Sequence, residues 1–181
     1  MGWQDRDLHK LTFYAHKHGL KVYIRPYTRF TGQAEYCSGV SITLFNTKYT
    51  SKTSMILSLL HEFGHHLDWL NTKRNDRVLN EALIILNKGR MSGKRSDLNK
   101  KHRAKILQIE KAGIKYMSRI YKTLKLEIPY YKVKHQEELD LFDYKCLYHK
   151  GRFSKSREYD IIYKKAGYYK RKYEKRKNGR I

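Results

Sequence analysis

The most constraining feature of this chain is a run of about twenty residues beginning at Ser51. Met55, Ile56, Leu57, Leu59, Leu60, Phe63, Leu67, Trp69 and Leu70 cover most of the circumference of a helix. A helix apolar on nearly all sides belongs in the centre of a fold, and Thr50-Ser51 supplies a side-chain oxygen to cap its start. Three titratable residues interrupt this apolar surface: His61-Glu62-Phe63-Gly64-His65 reads H-E-x-x-H. Burying such groups is costly unless they have partners. His61 and His65 lie one helical turn apart and project to the same side, the spacing at which two imidazoles bind one zinc ion. Glu62 then stands where a general base meets a zinc-bound water. His66 lies about 100° further round the helix and cannot share that ion, so a role in the core is expected for it.

Tetrahedral zinc with an open position needs a third protein ligand. The extended pattern H-E-x-x-H-x-x-G-x-x-H fails here, because Asp68 and Asn71 occupy the glycine and third-histidine positions. Asp68 follows His65 too closely on the same helix to be that ligand, and is expected at the surface or as a cap. A later glutamate is required, and two are candidates. Glu81 follows His65 by 16 residues and Glu110 by 45. Glu110 is favoured because it falls on the apolar stripe Ile106, Gly113, Met117, Ile120 and Leu124, where a carboxylate needs a compensating charge. Ala112 and Gly113 are small enough to let that helix approach the motif helix closely.

The remaining elements follow from periodicity and punctuation. Trp3 to Gly19 reads as a helix stopped by glycine. Lys21–Pro26, Glu35–Cys37 and Ser41–Phe45 read as short strands, with a loop over Thr28–Gln33. Helices are expected over Asp76–Asn87, from Ser96 or Asp97 to about Leu126, and over His135–His149 and Ser156–Lys177. Lys88–Ser96, with two glycines, reads as a mobile loop. The fold class is therefore α+β: a small mixed or antiparallel sheet packed on the motif helix, followed by an α-helical C-terminal half. Residues 1–126 form the metal-binding unit, and 127–181 a basic helical extension packed on it within one domain.

Leu60-His61-Glu62-Phe63-Gly64-His65, with the later helix pattern Glu110, Ala112 and Tyr116, resembles the ImmA/IrrE-type minimal gluzincins, especially small phage-encoded members. The resemblance covers roughly residues 20–126. It implies a compact metallopeptidase with a small sheet above the active helix, zinc held by His61, His65 and Glu110, and Glu62 as catalytic base. On that reading Lys88–Ser96 is an insertion. The expected activity is hydrolysis of a protein or peptide substrate, with Glu62 taking a proton from water and passing it to the leaving amine. An extended substrate pairs with an edge strand, for which Ser41–Phe45 is the choice. His135, Tyr144, Tyr148 and His149 are candidate donors to the developing oxyanion. Relatives that cut repressors carry DNA-binding domains; no helix-turn-helix pattern is evident here.

Charge adds a second expectation. The net charge is +23, of which +18 lies in residues 61–181. Lys164–Arg180 interleaves nine Lys or Arg with Tyr168, Tyr169 and Tyr173, a composition suited to nucleic acid, or more broadly to an acidic partner. A basic nucleic-acid-binding protein with an inert zincin-like fold is thus one alternative to the peptidase, and a zinc-stabilised structural or virion component is another. No run of residues is long and apolar enough for a membrane span. Met1–Asp7 contains no apolar signal core, and Cys37 and Cys146 cannot form a disulfide framework. Cytoplasmic placement, in a host if the chain is phage-encoded, and two buried thiols are expected.

Overall fold

The computed structural model describes residues 2–26, 34–37, 40–46, 51–72, 77–92 and 98–177. Its elements run α1 (Trp3–Lys17), β1 (Lys21–Pro26), β2 (Ala34–Cys37), β3 (Ser41–Asn46), α2 (Lys52–Thr72), α3 (Arg77–Ser92), α4 (Lys100–Thr123), α5 (Tyr130–Lys150), a 3₁₀ turn (Ser156–Tyr159) and α6 (Asp160–Lys177). The architecture is α+β, as the patterning requires. The expected loop over Thr28–Gln33 lies outside the described residues.

The sheet is three-stranded and mixed, in the order β1-β3-β2. β3 pairs in parallel with β1 from Lys21↔Ser41 to Pro26↔Asn46, and antiparallel with β2 from Ala34↔Leu44 to Cys37↔Ser41. This corrects the choice of Ser41–Phe45 as the substrate strand, because both of its edges are already paired. Ile42 and Leu44 explain its place: both are fully buried, and the most apolar strand takes the centre. Among the described residues, the unpaired edges belong to β1 and β2. Gly19 sits between α1 and β1 at φ 79°, a left-handed turn that an L side chain resists. Cys37 is exposed on β2, against expectation, while Cys146 is buried.

α2 is the centre of the molecule. The Ser51 hydroxyl accepts the Ser54 amide at 3.1 Å, and the helix packs against α1, α4 and strands β2 and β3. Its apolar side chains join Leu11, Ile42, Leu44, Met117, Ile120, Ile128 and Val133 in the main core. A smaller core of Ala82, Leu86, Leu98, Ile106 and Leu147 lies between α3, α4 and α5.

Several helix boundaries differ from expectation. α3 continues through Lys88-Gly89-Arg90 to Ser92, since a single glycine among good helix formers does not stop a helix. The 45-residue interval is thus largely filled by helix, and residues 93–96 of the expected loop lie outside the described residues. α4 starts later than expected, where the Asn99 side chain accepts the His102 amide at 2.9 Å. It ends at Thr123. α5 begins directly after Pro129, five residues earlier than expected, because burial of Val133 overrides the weak helix propensity of Tyr130, Tyr131 and Val133.

Two polar anchors position these helices. Asp7 on α1 is fully buried, and its two oxygens accept the amides of Glu127 (2.9 Å) and Ile128 (2.7 Å) in the α4–α5 link. Between α4 and α5, the Ser118 hydroxyl donates to Glu137 at 2.5 Å, and Glu137 also pairs with Lys134.

Candidate metal centre

The site forms where α4 crosses α2. Gly64 and Gly113 meet at the crossing: a Cβ on Gly64 would overlap the Gly113 carbonyl, and one on Gly113 would lie 2.7 Å from the His65 ring. With both side chains absent, α4 comes near enough for Glu110, one turn before Gly113, to reach the face carrying His61 and His65. His61 Nε2 and His65 Nε2 are 3.0 Å apart. Glu110 Oε2 lies 3.4 Å from the first and 3.3 Å from the second. These three residues are the only His, Cys, Asp and Glu cluster among the described residues in which at least three donors converge on one point.

The donor set fits a tetrahedral zinc ion. Bonds of about 2.0–2.1 Å at tetrahedral angles separate donors by about 3.3–3.4 Å. Glu110 is buried, and its Oε2 has no hydrogen-bond partner among the described residues. An orphaned carboxylate oxygen facing two imidazole nitrogens is the arrangement a cation would resolve.

The electrostatics of the metal-free site agree with this. Burial alone disfavours charge on His61, but Asp140 and Glu110 outweigh it and raise its pKa well above the ordinary value. His65 is raised in the same sense, burial being overcome chiefly by Glu110. Burial opposes ionisation of Glu110, but the two imidazoles hold its carboxyl far below the usual carboxylate range. The imidazoles and the Glu110 carboxylate thus each favour the charged form of the other. Glu62 shows the reverse balance: burial pushes its carboxyl up, and the His61 and His65 charges only partly offset this. A carboxylate raised toward neutrality suits proton transfer.

The structure brings His61, Glu62, His65 and Glu110 together. Glu81 lies elsewhere, half exposed on α3, with its carboxylate 2.8 Å from Arg77 Nε. Asp68 is buried rather than at the surface. His66 is buried in the core, with Nδ1 3.1 Å from the Tyr36 hydroxyl and Nε2 3.3 Å from the His18 carbonyl.

A cavity of about 400 Å³ opens beside His61 and Glu62. Ala34 of β2 forms one side, and Gln136, Asp140, Asp143 and Tyr144 of α5 form another. The strand bordering the site is therefore the β2 edge. Of the four candidate oxyanion donors only Tyr144 lines this cavity; His135 packs at a tilt against Tyr163 of α6, ring centroids 5.8 Å apart, and Tyr148 packs on His149.

Sequence reasoning missed Asp140, whose Oδ2 is 3.0 Å from His61 Nδ1. A signal was present: Glu137, Glu138, Asp140 and Asp143 are concentrated within seven residues of a strongly basic C-terminal half. Comparison of the chain with protein-family models, with curated proteins and with solved structures finds no match in any of the three.

Proposed function

We propose that this protein is a zinc-dependent metallopeptidase of the gluzincin type, with His61, His65 and Glu110 as ligands and Glu62 as general base. The observation that carries this reading is the triangle of Nε2, Nε2 and Oε2 atoms at 3.0–3.4 Å, on an H-E-x-x-H helix and a following helix. A zinc ion held there would supply a Lewis acid for the scissile carbonyl and acidify an attacking water.

The chain's own residues supply the rest. Glu62 takes the proton from the attacking water and returns it to the leaving amine. The free edge of β2, with Ala34 at the cavity, accepts an extended peptide by main-chain hydrogen bonding. Tyr144 presents a phenol to the same cavity as a donor to the developing oxyanion. This reading is in keeping with the resemblance to ImmA/IrrE-type enzymes.

The test is metal content and activity together. Purified protein should hold about one zinc per chain, and Glu62→Gln should keep the metal while abolishing peptide cleavage. A wild-type protein with no affinity for zinc removes the proposal.

A second reading concerns the charge. α6 exposes Lys164, Lys170, Arg171, Lys172 and Lys175, with the Lys172 ammonium 5.9 Å from the ring centroid of exposed Tyr168. Cations beside an open aromatic suit phosphate contact with base stacking. Binding to nucleic acid that weakens steeply with salt and survives loss of His61 would support it; no binding at low salt would remove it. No helix among the described residues is long and apolar enough to cross a membrane.

A further inference from the structure

An imidazole that offers Nε2 to a metal must carry its hydrogen on Nδ1, and a buried Nδ1–H needs an acceptor. His61 Nε2 points at His65 and Glu110. On the other side of the ring, Nδ1 is buried and lies 3.0 Å from Asp140 Oδ2. That oxygen is buried as well, and neither atom has a hydrogen-bond partner among the described residues. Two orphaned polar atoms facing each other satisfy one another when the hydrogen sits on Nδ1, and in no other neutral tautomer.

The carboxylate is itself held. Gln136, one turn earlier on α5, donates its side-chain amide to Asp140 Oδ1 at 2.8 Å, leaving Oδ2 for His61. One turn from Asp140, Glu137 accepts the Ser118 hydroxyl and so fastens α5 to the helix that carries Glu110. His65 has no equivalent: its Nδ1 is buried beside Gly113 with no acceptor among the described residues.

We infer that Asp140, oriented by Gln136, is the positioning residue of the metal centre: it fixes the Nδ1–H tautomer of His61 and so presents Nε2 as a ligand. The inference rests on the zinc reading above and deepens it. It makes α5 part of the site, although Asp140 lies 79 residues beyond His61 in the chain. Metal ligation and tautomer control thus come from three separate helices.

The experiment measures zinc affinity of the full-length, metal-stripped protein by competition with a chromophoric chelator, alongside the melting temperature of the metal-free form. Asp140→Asn and Asp140→Ala should each weaken zinc binding about 10- to 100-fold. Asp140→Glu should recover part of the loss, and Gln136→Ala should give a smaller one. The metal-free melting temperature of Asp140→Asn should stay near wild type, which separates positioning from folding. In wild-type zinc-loaded protein, nitrogen-15 spectra of the histidine rings should show His61 protonated on Nδ1; this needs no variant and stands even where Asp140 variants fail to fold. Unchanged zinc affinity in Asp140→Asn overturns the inference while leaving the zinc reading intact; a proton on Nε2 of His61 overturns both, because that nitrogen would then have no lone pair to offer a metal. A wild-type protein that binds no zinc overturns both.

Discussion

Gly64 and Gly113 leave no room for a methyl group between α2 and α4: a Cβ on Gly64 would run into the Gly113 carbonyl, and a Cβ on Gly113 would press on the His65 ring. The two substitutions therefore fail differently. Gly64→Ala meets backbone, which cannot turn aside, and forces the helices apart at a cost of about 1–3 kcal/mol or more. Gly113→Ala meets a side chain and displaces the His65 ring. Chemical denaturation should find the larger stability loss in Gly64→Ala. Zinc competition should find at least a tenfold affinity loss in Gly113→Ala.

Zinc binding should release protons and weaken in acid. The His61 and His65 pKa values are raised above 6.5 in the metal-free site, so protons compete with the ion for the same nitrogens. Affinity should fall as pH drops through those raised values. Calorimetry in two buffers of different ionisation enthalpy should detect the released protons, and equal heats in both would contradict the assignment. Metal-free stability has its own window. The Glu110 contribution is present above the ordinary carboxylate value and is lost as pH falls toward its depressed one. The histidine contributions are present below 6.5 and are lost as pH rises through their raised values. Metal-free protein should thus be most stable in mild acid, and zinc should move the optimum upward.

Glu110→Gln and Glu81→Gln form a matched pair. Glu110 is buried between two imidazoles, so the amide should lose zinc and take away the negative charge that faces both rings. Glu81 is half exposed and pairs with Arg77 on its own helix, so its amide should change stability by no more than about 0.5 kcal/mol and leave metal affinity alone. Metal content and melting curves of the two proteins check both expectations.

Asp7→Ala should destabilise the protein without touching the site. It strips acceptors from two backbone amides, the partly buried one of Glu127 and the buried one of Ile128, and a buried donor so orphaned costs about 1–3 kcal/mol. Urea denaturation measures the loss. A variant as stable as wild type would show that water replaces the carboxylate.

What could be read from the sequence was local or periodic. The H-E-x-x-H helix, its buried character and its Ser51 cap follow from residues within one or two turns. The apolar stripe and small residues of α4 were enough to favour Glu110 over Glu81. Pairing between distant segments was less legible. β3 looks like any short strand until β1 and β2 are placed on both sides of it, and Cys37 is exposed because it lies on the edge strand. Asp140 depends on how α5 docks against α4, and no spacing along the chain encodes that. Of the missed helix boundaries, Ser92 and Asn99 are set locally, by helix formers that carry α3 through Gly89 and by the Asn99 cap of α4, whereas at Tyr130 burial of Val133 overrides intrinsic propensity.

The Asp7 anchor bears on how the molecule is made. Its acceptor oxygens belong to the first helix, and the amides they bind are 120 and 121 residues later. A growing polypeptide emerging from the ribosome carries that carboxylate without its partners until the linker after α4 has been synthesised. Contacts of such long sequence separation close slowly. The opening helix therefore cannot complete its docking until residues 127 and 128 have appeared, after the three strands and α2, α3 and α4 have already been made.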